Sequence, residues 1–194
     1  MLNTILQHKN IILASGSPRR QQFFKEMDLA FSIRLKEVEE IYPNHLKAAE
    51  ITNFLAELKA NAFENELKEN DILITSDTIV WLDGKALGKP KDYDDAFKML
   101  QELGGQTHEV ITSVCMKTST KTETFHCVTK VTFATLAEEH IRYYLDQYKP
   151  FDKAGSYGIQ DWIGLIGIEK IEGSYTNVVG LPTEMLFQKL MHYV

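Results

Sequence analysis

I-I-L-A-S-G-S-P-R-R, residues 11–20, runs a short apolar strand straight into a helix start that carries two arginines. Ile11, Ile12 and Leu13 are a brief run of strand type. Ser15, Gly16 and Ser17 make the turn, Ser17 suits the N-cap, and Pro18 suits the first helical position, where its missing N–H costs nothing. The free N–H groups of that first turn present the positive end of the helix dipole, and Arg19 and Arg20 add full charges beside it. Such a stretch is built to dock an anion. Taken alone, an ordinary capped helix with two solvated arginines fits it equally well, because strand, turn and capped helix recur throughout α/β proteins. It is not a Walker loop, since G-x-x-x-x-G-K-[S/T] is absent.

The segments that follow alternate helix and strand. A helix over roughly residues 18–28 carries Phe23, Phe24 and Met27 at helical spacing, and Phe31 to Leu35 reads as a strand. A longer helix covers roughly 45–66, with Ile51, Leu55, Leu58 and Ala62 facing the core and Lys59 on a flank of that face. Strand signals return at Ile72 to Thr75 and Ile79 to Leu82, and Asp83-Gly84 marks a tight turn before Lys85. Asp92 is the expected N-cap of the next helix, Ala96, Met99, Leu100 and Leu103 its apolar stripe, and Gly104-Gly105 its stop.

Residues 107–117 and 122–133 then read as two long strands of an antiparallel hairpin. Val110, Thr112, Val114 and Met116 alternate along one, and Phe125, Cys127, Thr129, Val131 and Phe133 along the other. A helix over about 137–147 ends before Pro150, a loop with Gly155 and Gly158 follows, and a strand near 163–171 leads to a C-terminal helix after Pro182. The order of elements predicts an α/β fold with a mixed sheet.

At 194 residues, 44% hydrophobic and 25% charged, the chain has an ordinary globular composition and is expected to form one domain over 1–194. Its net charge of −6 argues against a general nucleic-acid binder, which needs a basic face. A small anionic substrate stays compatible, because a few local cations can focus a field. The opening M-L-N-T-I-L-Q-H-K-N lacks the apolar core of a signal peptide, and no stretch reaches the length of a membrane span; the cytoplasm is the expected setting. Cys115 and Cys127 have no metal or disulfide spacing and read as small hydrophobes on neighbouring strands.

Three further groups could carry chemistry. In Val38-Glu39-Glu40 the default is a solvated turn, and the alternative is one carboxylate on a divalent cation. In Thr75-Ser76-Asp77-Thr78 an Asp interrupts a β-rich run, which calls for a metal, a cation or several donors to offset its burial, or else for a local cap. The third group is Lys59, Lys89 in Gly88-Lys89-Pro90 and Lys153 in Asp152-Lys153-Ala154-Gly155. Single lysines are usually solvated, but flanking Gly or Pro fixes the backbone at the last two. The six histidines show no metal-ligand spacing, and no covalent-nucleophile motif is present. These parts suit metal-assisted phosphoryl chemistry.

S-G-S-P-R-R at 15–20, V-E-E at 38–40, S-D-T-I-V at 76–80, G-K-P at 88–90, D-K-A-G-S-Y-G-I-Q at 152–160 and G-S-Y…V-V-G-L-P at 173–182 together resemble the Maf family of nucleoside triphosphate pyrophosphatases, also called septum-formation inhibitors. The resemblance implies a mixed central sheet flanked by helices with a cleft between two lobes, related to the inosine-triphosphate pyrophosphatase architecture, and a homodimer. It implies hydrolysis of a nucleoside triphosphate to the monophosphate and pyrophosphate with Mg²⁺ or Mn²⁺. Ser15, Ser17, Arg19 and Arg20 would hold phosphates, and Lys59, Lys89 and Lys153 would contact the triphosphate. Glu40 and Asp77 would bind metal, with Asp77 the base for water attacking the α-phosphorus. Glu39 stands where many relatives carry Asp, which leaves open which carboxylate reaches the metal.

Within that family Arg19, Thr78 and Gln160 resemble the branch acting on dTTP, UTP and some modified pyrimidine triphosphates, rather than the branch acting on 7-methyl-GTP. A glutamine amide donates and accepts at once, as the edge of uracil or thymine requires. The rival expectation is a nucleotide-binding regulator of cell division without significant catalysis.

Overall fold

Ile11, Ile12 and Leu13 form the strand expected of them. In a computed structural model that describes residues 2–193, β1 (Asn10–Leu13) lies between two parallel neighbours, β2 (Ser32–Ile33) and β3 (Asp71–Leu82). Parallel pairing demands crossovers, and the chain supplies them as α2 (Pro18–Glu26) and α3 (Ala49–Asn61). The strand order is β2-β1-β3-β5-β6-β7, with β5 at Thr107–Lys117, β6 at Thr122–Phe133 and β7 at Ile168–Glu172. β4 (Lys85–Leu87) pairs antiparallel with β3 across the Asp83-Gly84 turn, where both residues take positive φ (48° and 81°). β6 and β7 are antiparallel as well, so the sheet is mixed, as expected.

The described residues cluster into two compact units, one of residues 2–77, 112–127 and 180–193, the other of 78–111 and 128–179. In the first, strand alternation sends Ile11, Leu13, Ile72 and Ile74 to one face. There they pack with Phe24 of α2 and with Leu186 and Leu190 of α8 (Thr183–Leu190). Ile12, Leu73 and Cys115 take the other face, against Ala56, Ala60 and Phe63 at α3 and its C-terminal end. Two short hydroxyl contacts stitch that helix to the sheet: Thr75 donates to the Ala56 carbonyl at 2.6 Å, and Thr52 and Ser113 hydroxyls meet at 2.6 Å. In the second unit α4 (Tyr93–Leu103) and α5 (Glu138–Tyr148) bring Ala96, Leu100, Leu103, Ile141 and Leu145 into one core with Val80, Val110, Val131 and Phe133. α4 is capped as its sequence requires, the Asp92 carboxylate accepting from Asp95 N–H at 2.8 Å.

Several expectations are corrected. The strand of residues 31–35 shrinks to Ser32–Ile33, because it is the outermost in the sheet order and pairs only with β1. The helix of 45–66 begins at Ala49, after Ala48 takes φ 47°, and ends at Asn61. Its core face is Ile51, Thr52, Leu55, Ala56 and Ala60, so Leu58 and Ala62 lie at the margin and Lys59 does not sit on a flank. Alanines let the helix approach the sheet closely, which rotates that face toward them. The separate strands of 72–75 and 79–82 are one continuous strand through Asp77. Residues 110–116 of β5 are all buried, both faces being covered. The strand of 163–171 is instead α6 (Trp162–Gly167) followed by β7. Two short helices, α1 (Leu2–Ile5) and α7 (Tyr175–Val179), are additional. Cys115 is buried and Cys127 half-buried on neighbouring strands, and neither forms a disulfide.

Candidate active site

Alternation along β3 decides where Asp77 points. Leu73 and Thr75 face α3, and Asp77, two residues further on, faces it too. Lys59, one residue before the buried Ala60, reaches from the helix to meet it, with Nζ 2.7 Å from Asp77 Oδ1. The same ammonium lies 3.1 Å from Glu40 Oε1. The side chains of Lys59 and Asp77 are only 17% and 10% exposed, whereas Glu40 is 48% exposed and forms the solvent side of the trio. The interrupted strand therefore contains a buried carboxylate offset by a cation, and not a helix cap or turn. The geometry also separates the two glutamates: Glu40 is the one that meets Lys59.

The strand-to-helix turn of residues 14–18 sits at the end of β1. Pro18 occupies the first turn of α2 and Ser17 has extended backbone at the N-cap, as expected, but its hydroxyl makes no capping bond. The Ser15 hydroxyl accepts from Ser17 N–H at 3.3 Å instead. Ser15 is buried and Ser17 and Arg19 are half-buried. Arg20 turns inward: Nε donates to the Gly180 carbonyl at 2.9 Å, and Nη1 to the Ser76 carbonyl at 2.9 Å and to Ser15 Oγ at 3.4 Å. Burial pushes the Arg20 guanidinium down to about 10, opposed by the charges of Asp77 and Glu40. Arg20 thus ties the helix start to the residue before Asp77 and to the V-V-G-L-P segment. The sequence does not single out Ser76 and Gly180 as its partners; the only trace is that Gly180, at φ 123°, stands where glycine is favoured.

The remaining candidates belong to the second unit. Thr78 is half-buried on β3 and Lys89 is exposed in the loop after β4. Lys153 Nζ lies 2.8 Å from Asp152 Oδ1 and 4.0 Å from Asp161 Oδ2. Gln160 is exposed while residues 155–159 are buried, so the loop presents the amide outward from a packed base. Gly155, at φ 66°, is pressed against Val80: a Cβ there would come within 2.8 Å of its side chain. Asp161, next to Gln160, has no signal of its own in the sequence.

Among the described residues no group of three or more His, Cys, Asp and Glu could hold a metal ion. Asp77 and Glu40 form a two-carboxylate set already converging on one positive charge, the Lys59 ammonium. That donor set fits a hard divalent cation of the Mg²⁺ type, which is held by one or two carboxylates and takes further oxygens from substrate phosphates and water. Also among the described residues, no helix is long and apolar enough to cross a membrane.

The chain is 64% identical over 193 residues to a dTTP/UTP pyrophosphatase of Flavobacterium psychrophilum, covering 100% of this chain and 99% of that one. It is 65% identical over 190 residues to a dTTP/UTP pyrophosphatase of Flavobacterium johnsoniae, with 98% of each chain covered. In fold it is similar to the structure of a HAM1 protein from Coxiella burnetii, with a TM-score of 0.52 and 12% identity over 95% of this chain and 99% of that one. The profile of the family described as Maf-like protein matches residues 10–193, and with the full-length relatives it shows that the chain belongs to the Maf family.

Proposed function

We propose that this protein is a nucleoside triphosphate pyrophosphatase that hydrolyses dTTP and UTP to the monophosphate and pyrophosphate. The observation that carries the reading is the meeting of Asp77, Lys59 and Glu40, a buried carboxylate beside a cation and a second carboxylate at the solvent edge. Asp77 takes a proton from water as the water oxygen bonds to the α-phosphorus; the bond from that phosphorus to the α,β-bridging oxygen breaks, and pyrophosphate leaves. Lys59 holds Asp77 in place and opposes charge on the phosphate oxygens. Ser15, Ser17, Arg19 and the first turn of α2 receive phosphate, with Arg20 bracing the turn. Asp77 and Glu40 would hold a Mg²⁺ or Mn²⁺ ion, which would supply charge neutralisation at the phosphate oxygens.

Lys89 and Lys153 are assigned to the triphosphate, and Arg19, Thr78 and Gln160 to the choice of base. The choice of dTTP and UTP rests on the names of relatives 64% and 65% identical to this chain. A homodimer in the cytoplasm belongs to the same reading, and sedimentation and cell fractionation test these two points.

The decisive experiment is pyrophosphate release with Mg²⁺ or Mn²⁺ across pyrimidine and purine triphosphates, 7-methyl-GTP included. Turnover led by dTTP and UTP is expected. Preference for 7-methyl-GTP overturns the base assignment, and tight binding with no turnover of any triphosphate overturns the enzyme in favour of a nucleotide-binding regulator.

A further inference from the structure

Tyr144 lies on α5, outside every motif that points to the nucleotide, yet its hydroxyl is fully engaged with the loop that carries Gln160. It donates to Asp161 Oδ2 at 2.7 Å and accepts the Gly158 N–H at 3.0 Å. Those two residues are the ends of one tight turn, closed by Asp161 N–H to the Gly158 carbonyl at 3.0 Å, with Ile159 and Gln160 at its centre. A single phenolic oxygen therefore clamps both ends of the turn that displays Gln160. The clamp is rigid. Tyr144 is buried and stacked on Tyr148 at 5.2 Å, Ile159 is buried, and the backbone of Gly164 is packed against the Ile159 carbonyl, where a Cβ would come within 1.8 Å. Burial first, and then the Asp161 carboxylate, push the Tyr144 hydroxyl upward, so it stays a donor across the working pH range.

The orientation of the Gln160 amide is the quantity at stake. Its Nε2 and the Asp161 Oδ2 both lie over the bare Cα of Gly158, at 2.8 and 2.6 Å from where a Cβ would stand. A carboxylate in that place attracts the amide NH₂ and repels the amide oxygen. Reversing an amide exchanges its donor and acceptor. One orientation complements the N–H and carbonyl edge of uracil and thymine; the other complements cytosine, whose ring nitrogen accepts and whose amino group donates. We infer that Tyr144 is a positioning residue for base selection: by holding Asp161 and Gly158 it fixes the Gln160 amide in the orientation that favours uracil and thymine over cytosine. This rests on the proposed role of Gln160 at the base.

The test compares equilibrium binding of non-hydrolysable UTP and CTP analogues, with Mg²⁺, to the wild type and to Tyr144→Phe. The wild type is expected to prefer the UTP analogue, and Tyr144→Phe to shrink that preference by roughly tenfold, the scale of one hydrogen bond. Asp161→Ala removes the carboxylate but keeps the Gly158 bond to Tyr144; it should shrink the preference equally, and it decides the matter if Tyr144→Phe does not fold. A role in folding alone lowers the melting temperature and weakens both analogues by one factor; an unchanged preference in a folded variant, or a wild type indifferent to the two analogues, overturns the inference. Wild-type hydrolysis of UTP and dTTP, run separately, tests the proposed function itself, so the two failures are distinguishable.

Discussion

Lys59 and Asp77, 18 residues apart, meet at 2.7 Å because a helix and a strand each turn one face to the other. Lys59 follows Ala56 by three on the helix, and Asp77 follows Thr75 by two on the strand, while Thr75 itself bonds the Ala56 carbonyl. The ion pair is thus set by packing that the two charged residues do not themselves supply.

Removing the charge of Asp77 touches chemistry and stability together. Asp77→Asn keeps the shape and is expected to lower kcat by about 10² to 10⁴, the span of general-base catalysis, and to lower the melting temperature as well, because Lys59 loses its buried partner. Lys59→Met leaves a buried carboxylate without its cation and should cost roughly 3 kcal/mol in urea unfolding as well as activity. Pyrophosphate release and denaturant titration of both variants check this.

Arg19 and Arg20, though adjacent, should behave differently. Arg20→Lys cannot serve the Gly180 and Ser76 carbonyls together and is expected to destabilise by about 1–3 kcal/mol, because one buried carbonyl loses its donor. Arg19→Lys is expected to raise KM. An Arg20→Lys protein as stable as the wild type in thermal unfolding would contradict the bracing role of Arg20.

Gly164 and Gly88 form a matched pair of tests. Gly164→Ala drives a methyl into the Ile159 carbonyl and should cost several kcal/mol or prevent folding. Gly88→Ala meets nothing within 4 Å and should change stability by less than about 1 kcal/mol. Thermal unfolding of the two proteins gives the comparison.

His108 makes the second unit acid-sensitive. Its Nε2 is 2.7 Å from the Tyr157 hydroxyl, its ring stacks on Phe133 at 5.5 Å, and burial pushes its pKa from 6.5 down to about 4. Between those values the unfolded chain binds a proton that the folded chain does not. The contribution is therefore complete above the unfolded value and is lost as pH falls toward 4, about 3 kcal/mol over the whole window. Urea midpoints at about pH 7.5 and about pH 5 should differ more for the wild type than for His108→Gln.

Much of this was legible in the residues. The capped helix after Asp92, the Asp83-Gly84 hairpin and the two long strands of 107–117 and 122–133 follow from turn chemistry and period, and all are found. Asp77 stands out in the sequence because a charge in an apolar run needs a partner. That Lys59 is the partner was not legible, because the spacing of Leu58 and Ala62 pointed to a helix face that the small residues Ala56 and Ala60 displaced. W-I-G-L-I-G-I-E read as a strand from its apolar content, yet residues 162–167 are helical, with Gly164 pressed on the Ile159 carbonyl.

Periodicity, turn residues and side-chain chemistry, all read within short windows, account for the alternation of elements, the mixed sheet, the strand-to-helix turn at 15–20 and the types of side chain that meet around Asp77. That Arg20 braces rather than faces outward, that Glu40 rather than Glu39 meets Lys59, and that Tyr144 holds the turn of Gln160 appear only once the chain is folded. Each of these is a contact between segments far apart in the chain, and its existence depends on how helices settle on the sheet, which no local window contains.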